Sequence, residues 1–405
     1  MSVHALRSRR TVGLGALILV VLVGLGVLLT QKSPAAAPGG SYLQTNIVSD
    51  VKGTAAVTDP KLINPWGIVA GPGTPFWIAD NSTGVSTLYT GTGAPCPGAP
   101  ASVAIPAPAG SAPDAAGTPT GTVFNGSSSF IVRQGAASGP SLFLFATEEG
   151  TIAGWSPVAN PVSAIIAADN SAEGAVYKGL AIASDGSQPQ LFAANFRENV
   201  IDVFDSSFQR VNKPGSFSDP RLPAGFAPFN VAALNGKLYV TYAKQNGEKH
   251  DDVAGAGNGY VDVYDLNGNL IRRLISGGAL DSPWGLALAP AGFGTFGNDL
   301  LVGNFGDGKI NAFEPTSGKF LGSLSDQHGK TLRIEGLWGL AFGSGPNTGD
   351  PNTLFFTAGI GGEKHGLVGS LQPMGASAGS AATGGAVTSG SGATKSTSGS
   401  SGYGY

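Results

Sequence analysis

The chain has 405 residues, including 64 Gly and 27 Pro, with only 12% charged residues and a formal net charge of −3. That much Gly and Pro excludes a helical protein, because both break helices and punctuate strands. The near-balanced charge, without a basic stripe, excludes nucleic acid and anionic membrane surfaces as partners through bulk electrostatics. A single cysteine, Cys96, excludes an intramolecular disulfide, so stability must come from packing.

In chain order, residues 1–40 form a segment apart. Arg7, Arg9 and Arg10 precede an uncharged apolar run from Val12 to Leu29 and then a small-residue linker. The run falls at the boundary between a cleaved signal core of roughly 7–15 residues and a spanning helix of about 17–25. It is expected to be an export signal or a transmembrane anchor, with both outcomes open, and the pair Arg9 and Arg10 faintly resembles a twin-arginine signal. Arginines on the near side hold that end in the cytoplasm, which places the rest of the chain outside, secreted or membrane-anchored.

The stretch YLQTNIVSD from Tyr42 to Asp50 reads as a lone strand. Six similar units follow: NPWGIVAGP from Asn64, TPTGTVFNG from Thr118, VYKGLAIAS from Val176, APFNVAALN from Ala227, SPWGLALAP from Ser282 and GLWGLAFGS from Gly336. Aligned on Gly67, Gly121, Gly179, Asn230, Gly285 and Gly339, they recur every 51 to 58 residues, a period typical of repeat architectures. Each unit continues with a compact apolar run such as SLFLFATE or DLLVGNF, rich in the residues of buried strands. A short turn then leads to a third strand that alternates apolar and polar residues (VIDVFD, YVDVYD, KINAFE), which predicts one packed and one solvated face. A further turn leads to a fourth strand such as LIRRLIS.

Four antiparallel strands repeated six times predict an all-β fold, a six-bladed β-propeller over residues 41–373. The last unit ends at Pro373 without a fourth strand. The strand from Tyr42 is therefore expected to complete the sixth blade and close the ring, removing an open edge. Residues 374–405, almost all Gly, Ser, Ala and Thr, cannot offset the entropy of ordering and are expected to form a disordered tail.

With these blocks in order, the chain resembles the NHL-type six-bladed propellers. More narrowly, it resembles a family of uncharacterised exported bacterial propellers that carry SYLQTNIVSD, NPWGI, VYKGLA, KHDDVAG and SPWGLALAP blocks, matched here from Ser41 to Pro373. The resemblance implies fold and export, and no activity.

Chemistry is expected on the least repeat-like block, Ala243 to Asp265, an insertion between the second and third strands of the fourth unit. It places Lys244, Glu248, Lys249, His250, Asp251 and Asp252 together in a chain poor in charge. If this loop folds inward, Asp251 and Asp252 meet axial amides and hold a calcium-like divalent cation; if outward, it is a partner-binding loop or a solvated hairpin tip. A second set is positional: Asp80, Asn81, Asn195 and Asn304 end second strands, while Asn64 and Asn230 lie on or beside innermost strands. Trp66, Trp284 and Trp338 precede the glycine anchors and are expected to pack between blades or to line one mouth as binding residues. Glu148 and Glu149 are assigned to a solvated hairpin turn, His328 and His365 to loops, and no Gly-x-Ser-x-Gly elbow is present.

These readings favour a monomeric binding or scaffold propeller for an extracytoplasmic protein or glycan, touching the membrane only through an uncleaved N-terminal segment. The alternative is a metal-dependent lactonase- or lyase-type enzyme with a site on the propeller axis.

Overall fold

The computed structural model describes residues 40–375 apart from Pro214. The expected export or anchor segment and the Gly/Ser-rich tail lie outside the described residues, among which no helix is long and apolar enough to cross a membrane. Six antiparallel sheets form the six blades of a propeller. The first blade shows the common order, from Pro65–Val69 through Phe76–Asp80 and Val85–Tyr89 to Ser102–Ala104. Second strands such as Phe143–Thr147, Leu300–Asn304 and Leu354–Ala358 are buried along their whole length, as strands covered on both faces by neighbouring blades must be.

Ring closure follows the expected route. Tyr42–Ser49 pairs antiparallel with Leu367–Pro373, from Tyr42 opposite Pro373 to Ser49 opposite Leu367, with a register shift between Asn46 and Val48. The sixth sheet gains a short fifth strand, Val57–Thr58, parallel to Tyr42–Ser49. A separate two-stranded ribbon, Ile131–Gln134 with Ala137–Pro140, is inserted between the first two strands of the second blade.

The glycine anchors do what close backbone approach requires. A β-carbon added at Gly67 would lie 2.6 Å from the Thr120 carbonyl oxygen, at Gly285 2.6 Å from that of Trp338, and at Gly339 2.6 Å from that of Trp66. Each anchor therefore presses on the innermost strand of the next blade. Asn230 replaces glycine in the fourth blade by bonding instead of yielding space: its Nδ2 donates to the Trp284 carbonyl oxygen at 2.8 Å, the equivalent acceptor of the fifth blade. Register shifts at these positions, between Pro283 and Gly285 for example, mark bulges that turn the residue before the anchor toward the axis.

The third strands depart from the expected solvated face. Asp262 and Asn311 are fully buried, because a third strand still lies inside the stack of blades. Asn311 Nδ2 donates to the Ala279 carbonyl oxygen at 2.9 Å, and Asp202 accepts from Tyr177 Oη at 3.0 Å and Asn195 Nδ2 at 2.9 Å, whereas Asp262 Oδ1 is buried without a hydrogen bond. Asp262 accepts from Tyr264 Oη at 3.3 Å and lies 3.5 Å from Arg273 Nε, whose Nη2 is 2.5 Å from Asp219.

Candidate functional site

The repeat puts one residue per blade immediately before the anchor: Trp66, Thr120, Lys178, Phe229, Trp284 and Trp338, all buried. The bulges direct them to the axis, where the aromatic members meet. Trp66 stacks on Trp338 with ring centroids 3.5 Å apart, and Trp284 stands edge-on to both at 6.1 and 5.8 Å. Phe305 stacks on Trp338 at 4.1 Å and Phe196 lies 5.4 Å from Phe229. The three tryptophans thus form a plug across the axis, and their rings are covered, so they do not offer the stacking surface at a mouth that the sequence suggested. Against Trp284 of the plug, a cavity of about 370 Å³ runs between the inner strands of all six blades, lined also by Ile68, Leu180, Leu286 and Leu340.

Lys178 is the charged exception in this layer. Its ammonium lies 5.2 Å from the Trp66 ring centroid, and its carbonyl oxygen accepts from Trp284 Nε1 at 2.9 Å. Lys178 Nζ donates to Glu148 Oε1 in a very short contact and to Asp251 Oδ1 at 3.2 Å. Glu148 belongs to the turn between the second and third strands of the second blade, and its side chain is only 14% exposed, so the solvated-turn assignment is corrected. It reaches the axis because this turn, like every such turn, opens on the rim where the innermost strands begin.

Around Lys178 the same rim collects groups from other blades. Asn81 Nδ2 donates to Glu148 Oε2 at 2.8 Å, and Asn64 Nδ2 donates to Asn81 Oδ1 at 3.3 Å and to Glu363 Oε1 at 3.1 Å. Asn64 Oδ1 accepts from Trp338 Nε1 at 3.1 Å, tying this polar ring to the aromatic plug. The fourth-blade insertion folds inward: Gln245 Nε2 donates to the Phe196 carbonyl oxygen at 2.6 Å, which carries His250 and Asp251 over the mouth. His250 Nδ1 lies 2.9 Å from Asp251 Oδ1.

Electrostatics separate three carboxylates of the mouth. Burial works to raise Asp251, but the Lys178 charge and the His250 contact outweigh it and hold the group below the usual aspartate range. Burial pushes Asp252 up, the nearby Ser282 hydroxyl and then the Lys178 charge only partly opposing it. Burial likewise raises Glu363, against its bond from Asn64. Neither Asp252 nor Glu363 has an ion-pair partner among the described residues, and Asp252 Oδ2 is buried without a hydrogen bond.

The sequence-named residues divide accordingly. His250, Asp251 and Asp252 come together at the mouth above Trp66, Trp284 and Trp338. The axial amides Asn64 and Asn81 do join the site, but they bond Glu363 and Glu148 instead of the two aspartates expected. Lys244 is exposed at the end of Lys237–Lys244 and takes no part. Asn195 is absorbed by Asp202 and the Val176 amide, and Asn304 Nδ2 by the Ala279 carbonyl oxygen and Asp307; Asp80 caps the Thr87 amide inside its own blade. Sequence reasoning missed Lys178, Glu148 and Glu363. Lys178 had a signal: in the six-unit alignment it is the lone charge before an anchor.

For a divalent cation the donor set is Glu148, His250 and Asp251, whose ligand atoms lie within 4.8 Å of one another. The Lys178 ammonium already bridges two of these three residues, so the cluster is charge-compensated by a side chain.

No family model matches the chain. The uncharacterized protein R648 of Acanthamoeba polyphaga mimivirus is 35% identical over 332 residues, 80% of this chain and 78% of that protein. The uncharacterized protein L690 of the same virus is 34% identical over 334 residues, 80% of this chain and 84% of that protein. Among solved structures, virginiamycin B lyase from Staphylococcus aureus aligns over 82% of this chain and 99% of its own at 14% identity, with a TM-score of 0.44. A Bacteroides thetaiotaomicron protein of unknown function aligns over 82% and 76% at 9% identity, with a TM-score of 0.47. Likeness at that level says nothing of this chain's chemistry.

Proposed function

The chain belongs to the same family as the mimivirus proteins R648 and L690, whose names carry no activity, and from its own residues we propose that it is a monomeric, extracytoplasmic binding propeller that takes a hydroxyl-rich ligand, a glycan, at the mouth of its axis. The arginine-led apolar N-terminal run supports the location. One observation carries the binding site: side chains from separate blades converge on the mouth, yet among the described residues Asp252 Oδ2 is buried without a donor and Glu363, which has no cationic partner, takes only the Asn64 amide on Oε1. Partly buried acceptors of this kind are costly unless a donor reaches them, and sugar hydroxyls are donors of the right kind. Titration calorimetry of the chain with neutral mono- and oligosaccharides tests the reading. An Asp252→Asn, Glu363→Gln double variant is expected to lose about tenfold or more in affinity; unchanged affinity, or no heat from any sugar with the wild type, removes it.

One feature favours a second reading, acid–base catalysis. His250 engages Asp251 through Nδ1, which leaves Nε2 for a substrate proton, beside the Lys178 and Glu148 pair. Turnover of a glycoside or lactone that is lost in His250→Ala, while sugar binding persists, would establish it.

A further inference from the structure

Beside the mouth, a rim pocket of about 460 Å³ lies between the second and third blades, lined by Thr118, Glu148, Glu149, Val176, Arg197 and His250 among others. Its size suits a single sugar ring, and Glu148 and His250 join it to the polar mouth. Arg197 follows Phe196 on the turn between Gln190–Asn195 and Val200–Phe204. Several other cations on the propeller are paired, Lys178 with Glu148, Lys309 with Asp307, Arg210 with Glu173 and Arg273 with Asp219. The Arg197 guanidinium has no such partner among the described residues, and its Nε is buried without an acceptor.

The two glutamates sharing the pocket do not satisfy it. Glu149 turns both carboxylate oxygens onto the Thr118 amide, each at 3.1 Å, and Glu148 is held by Lys178 and Asn81. A guanidinium cannot shed its charge, and its planar fork matches carboxylate and phosphate oxygens two at a time. A buried N–H of that kind without an acceptor is costly unless a ligand supplies one.

We infer that Arg197 is the anchor for an anionic group on the ligand, so that the substrate class is an acidic sugar carrying a carboxylate or a phosphate. The inference rests on the mouth being the glycan site and adds the charge at one end of the ligand. In this arrangement the anion sits on the Arg197 fork while ring hydroxyls point toward the acceptors of the mouth.

The test is titration of the full chain with glucuronate, glucose 6-phosphate and glucose. One or both anionic sugars are expected to bind the wild type about tenfold or more tightly than glucose, and the stronger of the two identifies the anionic group. Arg197→Gln, still melting cooperatively, is expected to abolish that preference by bringing the anionic sugar down to the affinity of glucose, and Arg197→Lys to keep only part of it. Anionic sugars binding no better than glucose, or a preference that survives in Arg197→Gln, overturns the inference. The Asp252→Asn, Glu363→Gln double variant separates the two readings: a loss there with a silent Arg197→Gln keeps the mouth as the site and discards the anchor.

Discussion

Lys178 occupies a place that other units fill with Trp, Phe or Thr, and its chemistry follows from that substitution. A lysine held among aromatic rings cannot stay charged alone, so Glu148 and Asp251 are drawn to it. Removing one member of a buried ion pair typically costs about 3–5 kcal/mol, because the charge left behind is uncompensated. Lys178→Met, close in volume, is therefore expected to destabilise the chain by about 3 kcal/mol in denaturant unfolding. The same variant frees Glu148, His250 and Asp251 as a ligand set. Calorimetry with calcium and magnesium is expected to show binding in Lys178→Met that is much weaker or missing in the wild type. Cation affinity equal in both proteins would mean that the ammonium does not stand in for the cation.

At the scale of elements, the third strand of the fourth blade, Tyr260–Tyr264, carries a buried carboxylate whose ionisation the fold resists. Burial first, then the neighbouring Asp219 charge, push Asp262 up to about 7 from an ordinary value near 3.8, with Arg273 opposing. The native state thus holds this proton more tightly than the unfolded chain does. Stability from the group is greatest below the unfolded value and falls as pH rises toward 7, then levels off once both states are ionised. The loss across that window is on the order of a few kcal/mol. Asp262→Asn is expected to flatten the stability curve between pH 4 and 7, measured as thermal midpoint against pH; an identical slope in variant and wild type would contradict the assignment. The fourth-blade insertion is the other element with a distinct role. Its inward fold rests on Gln245 reaching the third blade, an uncharged residue between Lys244 and Glu248 of the charged run that drew notice in the sequence.

For the molecule as a whole, the ring depends on a strand that comes from the other end of the fold. Tyr42, Ile47 and Val48 are buried in the sixth blade, and Tyr42 stacks on Phe293 at 4.6 Å while its hydroxyl donates to the Phe293 carbonyl oxygen at 3.0 Å. Ser49 Oγ donates to the Gly366 carbonyl oxygen at 2.7 Å, and Asp50 receives the Gly366 amide at 2.8 Å. Three buried apolar side chains at roughly 1.5–3 kcal/mol each contribute at least about 5 kcal/mol, comparable with the whole net stability of many domains. Deleting residues 41–50 is expected to abolish a cooperative thermal transition, whereas Tyr42→Phe, which removes only the hydroxyl bond, is expected to cost about 1 kcal/mol. A truncated chain that still melts cooperatively near the wild-type temperature would show that the ring closes without this strand.

The repeat, the blade count and the closing strand were all legible in the residues, because strand periodicity, turn chemistry and spacing are local properties that a chain displays wherever it folds. The glycine anchors were legible for the same reason: close approach between strands demands the smallest residue, and Asn230 stands out as the exception. The inward insertion was legible only as a cluster of His250, Asp251 and Asp252, with its direction open. Which of its charges mattered was decided by tertiary structure. Lys178, Glu148, Glu363 and Asn64 are separated by tens to hundreds of residues and meet only because ring closure brings separate blades to one axis, where burial makes a lysine recruit carboxylates. The polar residues of the third strands looked solvated for a related reason, since alternation records that two faces differ and says nothing of whether the second face meets water or the next blade.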